Sequence, residues 1–201
     1  MCIFAEDGIP ASAMHIVHGL VLTGGTSSRM GADKATIDFD GLTLAARVAR
    51  ALAPVARPVL AVGHDAGTGL EAIDDPKDGP LAALVAGADA LAARNADGPI
   101  VLVACDLPFV TSRVLTEVIV GLGEAAAAVP VVGGRDQPLA ACYGPRALSV
   151  ARRLVAEGER SMRALLEQID VARLTVADAG DLADVDTPAD LNDARRRVEH
   201  P

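Results

Sequence analysis

Between Leu22 and Lys34 the chain reads Leu-Thr-Gly-Gly-Thr-Ser-Ser-Arg-Met-Gly-Ala-Asp-Lys. Adjacent glycines directly after an apolar run let the backbone come close to a ligand, and successive amide N–H groups there can cradle phosphate oxygens. Arg29 and Lys34 add two cations to the same loop, so a polyphosphate is the ligand it suits. Two familiar phosphate loops are excluded. A GxxxxGK[ST] loop needs lysine directly after its second glycine, but Gly31 is followed by Ala32, and no GxGxxG stands at this strand end.

Asp106 follows the apolar run Pro-Ile-Val-Leu-Val-Ala at 99–104, which brings its carboxylate out at the edge of a sheet. A hard oxygen ligand there suits Mg²⁺, which takes one or two carboxylates plus substrate phosphates; the alternative is a turn-forming aspartate before Pro108. Asp186 precedes Thr187-Pro188-Ala189-Asp190, a capping box with proline at the first helical position. It is either a second metal carboxylate or a structural acid at a helix entry. Asp74 and Asp75 lie in a loop shortly before Gly79-Pro80. Cys105 reads as small buried packing. His15, His18, His64 and His200 do not cluster, so neither zinc nor a histidine base is expected.

The elements that must position these residues alternate along the chain. Apolar strand runs are expected at 18–23, 58–62, 70–73, 99–104, 125–132, 138–143 and 171–176, with a further strand end near Val185. Helical segments are expected at 42–53, from Pro80, after the caps Thr111 and Ser161, from Pro145, and from Pro188. Gly133-Gly134-Arg135-Asp136 reads as a hairpin-like connection. The alternation predicts an α/β fold: a single Rossmann-like three-layer domain with a mostly parallel sheet and helices on both faces. Ligands in such sheets bind beyond the carboxyl ends of the strands. Loops after Leu22, Ala104 and Val185 would share that rim.

Composition sets the boundaries. Apolar residues make up 51% and charged residues 22%, yet there is no Trp, one Tyr and three Phe, so the core must come from Ala, Val and Leu. A net charge of −9 argues against nucleic acid as the main partner. No apolar run is long enough for a membrane span. Cys2, Cys105 and Cys142 form no CxxC, which fits a reducing cytoplasm. Residues 1–14 are expected to be a flexible extension and 15–201 the working domain.

The segment Gly24-Gly25-Thr26-Ser27-Ser28-Arg29-Met30-Gly31-Ala32-Asp33-Lys34 resembles the signature loop of molybdenum cofactor guanylyltransferases and their nucleotidyltransferase relatives. Further segments match in order: Gly79-Pro80-Leu81-Ala82-Ala83, Cys105-Asp106-Leu107-Pro108, residues 137–143 from Gln137 to Tyr143, residues 158–165 from Gly158 to Leu165, and residues 184–191 from Asp184 to Leu191. The resemblance implies transfer of GMP from GTP to molybdopterin with release of pyrophosphate. It implies Mg²⁺ on Asp106, with Asp186 as a candidate second ligand. Nucleotide contacts are implied for Leu22, Thr23, Gly24, Gly25, Lys34, Asp75 and Asp106, with Asp74 as the alternative to Asp75. Catalytic roles fall on Arg29, Lys34 and Asp106. Arg135, Arg160 and Arg163 are candidate phosphate or pterin contacts. GTP and molybdopterin are then the small-molecule substrates, and transient contact with proteins that deliver or accept the cofactor is implied.

The chain departs from the family pattern at three places: Gly63 stands where relatives place Asn, Ala83 where many have a second Gly, and Thr23 where Ala is usual. Gly63 together with Asp186 keeps open a cytidylyltransferase acting on molybdopterin or another phosphorylated acceptor. A non-catalytic nucleotide-binding module is the reading from outside enzymology.

Overall fold

The computed structural model describes residues 16–24 and 33–199. The expected extension at 1–14, and Gly25, Arg29, His15 and His200, lie outside the described residues.

The strands are β1 (His18–Leu22), β2 (Asp38–Phe39), β3 (Leu42–Thr43), β4 (Val59–Val62), β5 (Glu71–Ile73), β6 (Ile100–Ala104), β7 (Ala127–Val132), β8 (Arg135–Asp136), β9 (Ala140–Tyr143) and β10 (Val171–Thr175). The helices are α1 (Leu44–Leu52), α2 (Pro80–Ala92), α3 (Ser112–Gly121), α4 (Pro145–Ala156), α5 (Met162–Leu166) and α6 (Pro188–Glu199). The main sheet runs β10-β7-β9-β6-β1-β4-β5, with β8 paired to β7. Within that order β9 alone runs against its neighbours, pairing antiparallel with both β6 and β7. The three-layer, mostly parallel architecture is therefore as the alternation predicts.

Alternation of side chains across the sheet splits the core in two. Leu20, Leu22, Leu60, Val62, Ile100 and Leu102 face α2, α4 and α5. Val21, Val101 and Val103 face the side covered by α1 and α3. Close packing here uses small residues: a Cβ at Gly87 of α2 would stand 2.3 Å from Leu20 Cδ1, so glycine lets this helix settle onto β1. Tyr143 is wholly buried, and its hydroxyl donates to the Pro138 carbonyl at 2.7 Å, as a buried phenol must.

A smaller cluster lies beside the main core. Phe39, Leu44, Val185 and Ala194 pack together with Ile37, Phe109 and Leu191 against them. The Phe39 and Phe109 rings meet edge to face at 5.7 Å. Arg47 covers Phe39 at 4.9 Å and Arg197 covers Phe109 at 4.2 Å, both within cation–π reach. This stack fastens the segment after Lys34 to the loop after β6 and to α6.

Two local expectations change. The expected strand end near Val185 is not a strand: a short 3-10 turn, Ala179–Leu182, leads into irregular chain. The Val185 amide donates to the Asp106 carbonyl at 2.9 Å, a single bond that ties the segment to the sheet rim without forming a ladder. The helix expected from residue 42 begins at Leu44, because Thr43 is its N-cap and accepts from the Ala46 amide at 3.1 Å. Leu42–Thr43 instead pairs antiparallel with Asp38–Phe39.

Candidate active site

Lys34, Asp106 and Asp186 meet at the carboxyl rim of the sheet. Lys34 opens the 3-10 turn Lys34–Thr36, which Asp33 caps by accepting from the Ala35 amide. Asp106 leaves the end of β6, and Asp186 stands just before α6. The Lys34 ammonium donates to Asp186 Oδ1 at 2.5 Å and to Asp106 Oδ2 at 3.5 Å. Side-chain exposures are 16% for Lys34, 26% for Asp106 and 44% for Asp186, so the cluster opens to solvent on the Asp186 side.

The electrostatics follow from this placement. Burial pushes the Asp106 carboxyl above its ordinary pKa, opposed by the Lys34 charge and reinforced by Asp186. Burial pulls Lys34 down, but its bond to Asp186 and the charges of both carboxylates outweigh that and hold its pKa above the ordinary lysine value. Cys105 is buried, and desolvation pushes its thiol up to about 12, so it remains a neutral packing group and not a nucleophile.

Asp186 is oriented from below. Asp190 accepts from the Asp186 amide at 3.1 Å, the Thr187 amide at 2.7 Å and the Thr187 hydroxyl at 2.8 Å. Thr187 in return accepts from the Asp190 amide, completing the capping box. These bonds hold the Asp190 carboxyl below the usual carboxylate range, chiefly through the Thr187 hydroxyl.

On the other side of Lys34 the loops after β1, β4 and β5 lock together. The Thr23 and Gly24 amides both donate to the Val62 carbonyl, at 3.0 and 2.9 Å. Both amides are therefore spent within the fold. Thr23 is 2% exposed; its hydroxyl donates to the His64 carbonyl at 2.7 Å and accepts from the His64 amide at 3.0 Å. A Cβ at Gly63 would lie 2.4 Å from the Gly24 amide nitrogen, and Gly63 has φ +129°. Glycine is thus a steric requirement at this crossing. A Cβ at Gly24 would in turn stand 2.1 Å from Asp75 Oδ2. Asp75, rather than the exposed Asp74, lies across the first loop, steadied by the Lys77 amide at 2.9 Å.

The Thr23 clip makes a prediction. Thr23→Val keeps the shape but leaves both backbone groups of His64 without their partner, and is expected to cost about 1–3 kcal/mol. Urea unfolding of the variant beside the wild type measures it.

Sequence reading missed the Thr23–His64 clip and the 2.8 Å contact between His64 Nε2 and Asp33 Oδ2. A signal was present, since Gly63-His64 follows its strand as Thr23-Gly24 follows the neighbouring one. The arginines separate. Arg160 pairs with Asp78 at 2.5 Å and Arg163 with Glu167 at 2.8 Å, both committed to neighbours, whereas Arg135 is exposed at the tip of the β7–β8 hairpin. A surface pocket of about 330 Å³, lined by Asp97, Gly98, Leu122 and Arg146 among others, lies at the opposite rim of the sheet. None of the candidate site residues lines it.

The fold that gathers Lys34 from a 3-10 turn, Asp106 from a strand end and Asp186 from a helix entry is the α/β fold of solved nucleotidyltransferases. Solved structures show the same fold. A molybdopterin-guanine dinucleotide biosynthesis protein A from Archaeoglobus fulgidus superposes with a TM-score of 0.75 at 24% identity, covering 92% of this chain and 100% of that one. The 2-C-methyl-D-erythritol 4-phosphate cytidylyltransferase of Thermus thermophilus does so with a TM-score of 0.67 at 19% identity, covering 92% and 100%.

Within that class the chain belongs to the MobA-like NTP transferase domain family, which it matches over residues 19–174. Among sequences, a Mycobacterium marinum protein named "Probable molybdenum cofactor guanylyltransferase" is 34% identical over 183 residues, 86% of this chain and 90% of its own length. A Bacillus cereus protein of the same name is 31% identical over 178 residues, covering 83% and 87%. The protein is accordingly an enzyme, a nucleotidyltransferase acting on small molecules. No helix among the described residues is long and apolar enough to cross a membrane.

Proposed function

We propose that the enzyme transfers GMP from GTP to the terminal phosphate of molybdopterin in a Mg²⁺-dependent reaction that releases pyrophosphate. The observation that carries this reading is the convergence of Lys34, Asp106 and Asp186 at one point of the rim, in a chain of this family.

The residues present fit a divalent cation. Asp106 and Asp186 bind one ammonium between them, so their oxygens converge, and hard carboxylate oxygens are the donor set Mg²⁺ takes. Two protein carboxylates leave the rest of its shell to phosphate and water. When bound, the metal neutralises charge on the triphosphate and polarises its phosphoryl oxygens.

The chain's own residues supply the rest. The loop that starts at Thr23 seats the triphosphate, with Arg29 and Lys34 matching its charge. Asp75, lying across Gly24, offers a carboxylate that can accept from guanine N1–H and N2–H₂. The acceptor phosphate oxygen attacks the α-phosphorus, the bond from that phosphorus to the bridging oxygen breaks, and pyrophosphate leaves with the electron pair. The acceptor is already an anion, so no general base is needed. Catalysis then rests on positioning and on cations placed where charge builds on the leaving group. Such chemistry fits a cytoplasmic enzyme that meets cofactor-delivering or cofactor-accepting proteins.

Gly63 favours one competing reading. The crossing with Gly24 leaves no space for a side chain where relatives carry Asn, so recognition of the base differs here, and CTP is the rival nucleotide. Pyrophosphate release with molybdopterin, Mg²⁺ and each of the four NTPs decides. GTP is expected to exceed CTP in kcat/KM by about 10⁴-fold, the scale of discrimination by a site built to hydrogen-bond groups that the rival base lacks. CTP equal to or better than GTP would replace the guanylyl reading. Nucleotide binding with no release from any NTP would favour a non-catalytic module.

A further inference from the structure

Lys34 is bound twice to the two carboxylates assigned to the metal, and this has a consequence for the order of loading. We infer that Lys34 is the resident counter-cation of the site: without nucleotide its ammonium occupies the point on which Asp106 and Asp186 converge, and a divalent cation enters only when a triphosphate draws that ammonium away. The inference rests on the reading of Asp106 and Asp186 as the metal-holding pair.

Three observations carry it. The ammonium contacts both carboxylates at once, at 2.5 and 3.5 Å, so the oxygens it holds are the ones a metal needs. An ammonium and a divalent ion repel at such range, so the two compete for this point between the carboxylates. Asp106 is mostly covered, at the end of a fully buried strand and beside Cys105 and Leu107, so its ionised carboxylate is held better by a cation than by water alone. Finally, the backbone of Lys34 is anchored while its side chain is long. The Asp33 cap and the bond from the Ile37 amide to the Lys34 carbonyl at 3.1 Å fix the turn, and only the flexible stem has to swing.

A triphosphate satisfies both cations, because it gives Lys34 a new anionic partner and gives the metal extra oxygen ligands. Nucleotide and metal must then bind with positive coupling, and by linkage each raises the affinity of the other equally. Lys34 thus acts in turn as guard of the metal site and as phosphate ligand.

Mn²⁺ is the probe, used on the full chain. In the absence of nucleotide, the electron paramagnetic resonance signal of free Mn²⁺ should persist beside the wild type. Lys34→Met should bind Mn²⁺ about tenfold or more tightly than wild type, and Lys34→Arg, which keeps the charge, should not. Adding Asp106→Asn to Lys34→Met should abolish the gain. Wild-type affinity equal to that of Lys34→Met overturns the inference, as does a folded Lys34→Met that binds no Mn²⁺. A second measurement needs no variant: Mn²⁺ alone should leave the wild-type melting temperature unchanged, yet add to the stabilisation given by GTP. A rise with Mn²⁺ alone overturns the inference while leaving the metal site intact. If Mn²⁺ adds nothing to GTP, the metal site itself fails, a result distinct from the others.

Discussion

Asp106→Asn is expected to lower kcat for pyrophosphate release by about 10²–10³-fold, the range seen when one preorganised electrostatic group is removed from an active site. Asparagine keeps the shape and loses the charge, so Lys34 and the proposed metal both lose a partner within the cluster. The fold should tolerate the change, because Val185 is tied to the backbone carbonyl of residue 106 and not to its carboxylate. Stability should even shift favourably near neutral pH. A carboxyl whose pKa is raised by burial binds its proton more readily in the folded state, so its contribution to stability is present at acid pH. That contribution is lost as pH rises from the unfolded value, about 3.9, through the higher folded one. The variant lacks this loss. Steady-state turnover and melting curves over pH check both parts, and wild-type turnover in the folded variant would remove Asp106 from the chemistry.

Lys34→Ala is expected to lower kcat by about 10²–10³-fold as well, while nucleotide affinity falls by less than about tenfold. The asymmetry follows from where the charge is needed. On the proposed reading, backbone amides and Arg29 share ground-state binding of the triphosphate, whereas Lys34 lies beside Asp106 and Asp186, where charge would shift onto departing pyrophosphate. Single-turnover kinetics together with nucleotide titration separate the two quantities. Equal turnover in the variant would end this role.

Much of this arrangement is legible in the residues themselves. Ile100–Ala104 is an apolar run that could hardly be other than a central strand, and it delivers Asp106 to the rim. Thr187 and Asp190 announce their helix entry, and the predicted bonds are present. What the pattern conceals is contact across long stretches of chain. Lys34 meets Asp106 and Asp186 across 72 and 152 residues, and no local period encodes such a meeting. The Gly24–Gly63–Asp75 crossing is equally silent, since each glycine alone reads as a turn. The apolar residues around Val185 mimic a strand end, but their burial comes from packing against Phe39 and Ala194. The two-sided stacking of Arg47 and Arg197 on the phenylalanines was likewise out of reach, because it joins three separate segments.

The single tyrosine has a practical corollary. With no tryptophan in the chain, near-ultraviolet absorbance is faint, and intrinsic fluorescence comes from one fully enclosed phenol. That phenol is bonded to the carbonyl of Pro138, in the turn that carries Gln137 and Leu139 to the reactive rim. Leu139 in turn accepts from the Ala104 amide two residues before Asp106. Emission from Tyr143 is therefore a label-free optical gauge of how firmly this turn is seated when small molecules arrive.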